Sequence, residues 1–89
     1  MPNAVTVDSG YPKYNVNGSS RELYYIFDVA LDGDYLDVPM RLVENVEFTP
    51  TTDTDTIGVA SIAAQGFGSR ITLDTAGAIS DIYCRVTGK

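Results

Sequence analysis

The segment Arg21 to Ala30, RELYYIFDVA, alternates its side chains with a period of two. Leu23, Tyr25, Phe27 and Val29 fall on one side of an extended ribbon, while Glu22, Tyr24, Ile26 and Asp28 fall on the other. A helix turning once every 3.6 residues would scatter the first group around its axis, so the segment is a strand with one core face. Its β-branched and aromatic content suits a pleated, half-buried surface. The second face carries Tyr24 and Ile26 beside charges and is therefore partly apolar, which suits contact with another surface.

The rest of the chain follows the same logic. From Val38 to Phe48, the residues Val38, Met40, Leu42, Val46 and Phe48 are in phase, with Glu44 breaking the apolar side and Val43 the polar one. This predicts a strand with a bulge or bend near Val43-Glu44. Pro39 has no N–H to donate and belongs at a strand start or an edge. Shorter strands are predicted over 57–64, 69–75 and 79–87, separated by the glycine turns Gln65-Gly66-Phe67-Gly68 and Thr75-Ala76-Gly77-Ala78. Ala60 to Ala64 is too short for a helix and is bracketed by Gly58 and Gly66.

At 89 residues the chain is one domain, expected to be all-β: a small antiparallel β-sandwich or barrel with an extended N-terminal arm. Residues 1–19 are assigned to the arm and its turn, and 20–89 to the β domain. Asn17-Gly18 is a hairpin signal that pairs Lys13 to Val16 with Arg21 onward. Residues 1–12 either fray or extend, and an extended arm would lay Val5, Val7, Tyr11 and Tyr14 on a neighbouring subunit.

Composition removes several classes of function. Twelve acids against six bases leave a net charge of −6, unsuited to tracking a nucleic-acid backbone or adhering to anionic lipid. No apolar run approaches the roughly 20 residues that span a bilayer. Met1-Pro2-Asn3-Ala4 lacks the pattern of a secretory signal, so synthesis in a cytoplasm is expected. The chain has no histidine and a single cysteine, which removes the usual general base, the usual zinc ligand and any internal disulfide. Cys84 alternates in phase with Ile82 and Val86, as a small core hydrophobe would. No enzymatic activity and no cofactor are expected.

Two polar stretches remain. In LDGDYLDVP, residues 31–39, Asp32, Asp34 and Asp37 cluster around Gly33. The spacing does not follow a helix-loop-helix calcium loop, and Asp-Gly between two strands reads first as a tight turn, with a weak calcium site or acid catalysis as alternatives. Thr49-Pro50-Thr51-Thr52-Asp53-Thr54-Asp55-Thr56 reads as an exposed loop, or one that orders against a partner. Gly66-Phe67-Gly68 lacks the lysine and following helix of a phosphate loop. Phe67 is placed at a turn tip, as a lid over the barrel end or a contact with another chain. Exposed Tyr24, Tyr35 and Phe67 would also serve a carbohydrate- or cell-surface-binding β module by stacking.

Residues 33–50, GDYLDVPMRLVENVEFTP, together with the closing strand Ile82-Tyr83-Cys84-Arg85-Val86-Thr87-Gly88-Lys89, resemble small all-β virion proteins of tailed bacteriophages. In these a Gly-Asp turn leads into a strand ending near Thr-Pro, a threonine-rich loop and a Gly-rich hairpin follow, and the last strand ends in Gly and a basic residue. The resemblance covers roughly residues 20 to 89, lies in layout rather than in a chemical motif, and carries no site residue across. It implies a capsid decoration (cement) protein, or a small tail or neck component. The implied partners are the major capsid protein and further copies of the chain, as a dimer or trimer on the capsid surface. Val5, Val7, Tyr11, Tyr14, Tyr24, Ile26 and Phe67 are the residues expected to make such contacts.

Overall fold

A computed structural model describes residues 3–17, 20–49, 57–66, 68–75 and 77–89. Eight strands follow in order: β1 (Thr6–Val7), β2 (Lys13–Asn17), β3 (Ser20–Val29), β4 (Tyr35–Val38), β5 (Val43–Thr49), β6 (Ile57–Gln65), β7 (Gly68–Thr75) and β8 (Ile79–Gly88). They form two antiparallel sheets. The larger runs β1-β3-β8-β5, with β2 also pairing β3, and the smaller runs β4-β7-β6. The all-β expectation holds.

The alternating residues of the longer strands make the core. Leu23, Tyr25, Phe27 and Val29 of β3 and Ile82, Cys84 and Val86 of β8 meet Leu36 and Val38 of β4 and Ile71 and Leu73 of β7. Each large aliphatic side chain buried in this way contributes about 1.5–3 kcal/mol. Phe27 and Phe48 pack edge to face, with ring centroids 6.3 Å apart. The hairpin of β2 and β3 forms in the expected register, from Lys13 opposite Tyr24 to Asn17 opposite Ser20.

The strand expected from Val38 to Phe48 is in fact two strands in different sheets. The chain leaves the smaller sheet at Pro39, which cannot donate to a ladder, buries Met40 completely between the sheets, and enters the larger sheet at Val43. The Ser69 hydroxyl donates to the Met40 carbonyl at 2.7 Å, and the Lys89 N–H to the Leu42 carbonyl at 2.9 Å. Gly68 and Gly88 make room for this crossing, because a Cβ on either would overlap the Val38 or Leu42 carbonyl oxygen. The bulge lies where expected, in the register shift between Val43 and Asn45.

The described part of the segment assigned to an arm is built into the domain. Thr6 and Val7 pair with Asp28 and Phe27 in the larger sheet. Immediately before them, the Val5 N–H donates to the Tyr35 carbonyl and the Tyr35 N–H to the Asn3 carbonyl, at 2.9 and 3.1 Å. Residues 3–7 thus bond to both sheets and seal that side of the sandwich. Val5 is only 8% exposed and joins the core, so burying its side chain outweighs the entropy of leaving the terminus free.

Candidate functional site

The acidic turn between β3 and β4 is held together by its own carboxylates. Asp34 is 2% exposed and accepts backbone N–H groups from Asn3 at 2.9 Å and from Ala30 and Leu31 at 3.1 Å each. Burial raises its carboxyl pKa, but the three donors together outweigh burial and hold it below the ordinary carboxylate range. Gly33 supplies the positive φ, 90°, that the turn requires. Asp32 accepts the Thr75 N–H at 3.0 Å, and Asp37 receives two hydrogen bonds from Arg70, whose guanidinium also lies 3.8 Å from the centre of the Tyr35 ring. All three carboxylates therefore have protein partners, as the turn reading requires.

A different acidic group has gathered in space. Asp8, Asp28 and Asp81 bring one carboxylate oxygen each within 4.8 Å of the others. The cluster sits where the β3–β8 register shifts between Phe27 and Val29, where Asp81 takes φ 56° and its N–H donates to Asp28 at 2.8 Å. The three residues are far apart in sequence, and only the strand pairing unites them.

On the outer face of the larger sheet, Tyr11, Tyr24, Ile26 and Tyr83 line a shallow depression of about 300 Å³, floored by Tyr25 and Cys84. It opens where the loop between β1 and β2 leaves the edge of β3. Beside it, Arg85 joins Glu22 at 2.7 Å and Glu47 at 3.3 Å, and the Tyr24 hydroxyl also donates to Glu22. The Arg85 and Tyr24 hydrogen bonds lower the Glu22 pKa, and the same Glu22 contact raises that of Arg85. Cys84 lies beneath this face, where burial pushes its thiol up to about 12 and keeps it protonated.

The remaining surface feature is the side opposite the sealed one. There β5 ends the larger sheet and β6 ends the smaller, and neither has a second strand neighbour among the described residues. Register shows which side chains of β6 face the core side: Ile57, Val59, Ile62 and Ala64 pair with the buried Thr75, Leu73, Ile71 and Ser69. Yet Val59 is 39% and Ile62 45% exposed, so β6 overhangs the core as an apolar shelf. Across the gap, Val43, Val46 and Phe48 of β5 pack only partly against the core. Among the described residues the sandwich is open here.

The residues expected to make contacts are therefore divided. Tyr11, Tyr24 and Ile26 come together in the depression, joined by Tyr83, whose phase opposite Cys84 is legible in the sequence. Tyr14 is exposed on β2, away from that group, while Val5 is in the core and Val7 packs against it, leaving neither as free surface. Phe67 and residues 50–56 lie outside the described residues. The shelf of β6 has no counterpart among the expected contacts, because the uncharged run 57–66 reveals a strand but not its place at the edge of a sheet. The fold and surface define the class as a two-sheet β module with one sealed side and, among the described residues, one open side. No family model, curated protein or solved structure matches the chain.

Proposed function

We propose that this protein is a non-enzymatic virion structural protein of a tailed bacteriophage, a capsid decoration (cement) protein that oligomerises and bridges neighbouring major capsid subunits. The observation that supports this reading best is the open side, where a nine-residue edge strand displays apolar side chains and has one strand neighbour among the described residues. A protein that staples a shell needs a rigid module with surfaces for neighbours, and sheet edges supply directional main-chain bonding for that purpose. The layout resemblance over residues 20–89 points the same way.

The test is to add purified protein to expanded heads that lack it. Saturable binding together with raised heat resistance of the shells is expected; absence of binding at any head concentration would remove the proposal. A second reading, a carbohydrate- or cell-surface-binding module, draws on the tyrosine-lined depression, whose volume lies at the lower end of the roughly 300–1,000 Å³ typical of ligand pockets. It predicts glycan-array signal that Tyr83→Ala abolishes, and a blank array would dismiss it.

A further inference from the structure

We infer that β6 pairs antiparallel with β6 of a second copy of this chain about a twofold axis, making a continuous six-stranded sheet from the two three-stranded ones. The inference rests on the assembly reading above and names its contact.

Charge selects the strand. The free edges of the larger sheet carry ionic side chains, Lys13 on β2 and Glu44 and Glu47 on β5, which discourage further pairing. β6, IGVASIAAQ, carries neither a charge nor a proline. Two copies of a chain with net charge −6 repel each other, and a strip without charge is where that repulsion is least. A twofold contact also demands a patch complementary to itself.

Register then selects the centre. The β6–β7 ladder shifts between Val59 and Ser61, leaving Ser61 to Gln65 as an uninterrupted run. An axis through Ala63 sets Ile62 opposite Ala64 of the partner subunit and Ser61 opposite Gln65 of the partner subunit. Large then meets small on the core side, and polar meets polar on the outer side. Nine residues per copy are fewer than the roughly 20–30 a side of a standard interface, so the strand does not suffice alone. The twofold supplies the remainder by bringing the two open sides together, with the shelves of Val59 and Ile62 and the half-covered Val46 and Phe48 closing over one apolar strip.

Ala63 is exposed on β6, so a glutamate there meets solvent and leaves the monomer folded. At the twofold, however, Ala63→Glu would set two like charges face to face. Sedimentation across a hundredfold dilution should show wild type as a dimer and Ala63→Glu as a folded monomer, its dissociation constant raised at least a hundredfold. Mixing Ala63→Glu with Ala63→Lys should restore dimers, and Glu44→Lys on β5 should leave the wild-type dimer unchanged. A wild type that stays monomeric throughout, or a dimer indifferent to Ala63→Glu, overturns the pairing. Should wild type be monomeric yet bind heads, with β6 amides protected from exchange only then, the edge belongs to another chain and the virion role stands. A β6-paired dimer that ignores heads upholds the pairing and removes that role.

Discussion

The two long sides of the sandwich meet the same problem, the unpaired edges of two sheets, and treat it in opposite ways. On one side residues 3–7 bond to β3 and to Tyr35 of β4, with the Asn3 N–H tied to the buried Asp34. On the other side β5 and β6 end their sheets with no strand between them among the described residues. A chain able to seal one side with a few residues, yet presenting an uncharged nine-residue strand on the other, has left a template for pairing in place. Sealing one side serves stability.

The largest effect on this contrast should come from Asp34→Ala, which deprives three backbone N–H groups of their acceptor. A loss of about 3–4 kcal/mol in denaturant unfolding is expected, with early exchange of the Val5 and Tyr35 amides. A loss below about 1 kcal/mol would show that the seal does not depend on this carboxylate.

Acid should weaken the same side more gently. Because the folded pKa of Asp34 lies below its ordinary value of 3.8, its contribution is complete above that value and is lost as pH falls through the folded pKa. Stability followed by calorimetry should therefore decline below about pH 4, and the decline should be shallower in Asp34→Asn, where Glu22 and its Arg85 and Tyr24 partners still contribute.

Truncating apolar side chains sets the two sides against each other directly. Val5→Ala should cost about 1–2 kcal/mol, since the side chain is buried, whereas Ile62→Ala, in protein dilute enough to be monomeric, should cost no more than about 0.5 kcal/mol. Equal costs would mean that β6 is covered within one chain. The smallest effect should be at Cys84, which pairs with Phe48 next to the open side. Its buried thiol should not react measurably with a thiol reagent in native protein, and prompt labelling would show that the opening reaches the core.

Legibility in the sequence followed periodicity. The core face of β3, the inward Cys84, the Asn17-Gly18 hairpin, the bulge near Glu44 and the Asp-Gly turn each leave a local signature of alternation or turn chemistry. The split of Val38 to Phe48 was marked by Pro39, but the phase of Met40 with Val38 favoured continuity, and alternation does not say when a chain changes sheets. Among contact residues, Tyr24 and Ile26 were readable as the apolar part of an otherwise polar face. Val5 and Val7 were not readable as core, because two valines near a terminus look the same whether they cover their own domain or a neighbour.

What the sequence by itself determined is therefore local: an all-β chain, its turns, the face of each long strand that enters the core, and an acidic net charge. These follow from the period of two and from the φ preferences of Gly, Asn and Pro. Only the tertiary structure decided that residues 3–7 seal one side, that Asp8, Asp28 and Asp81 meet, and that β6 is an edge. Each depends on which strands become neighbours, and that is set by the summed burial of all of them rather than by any one segment.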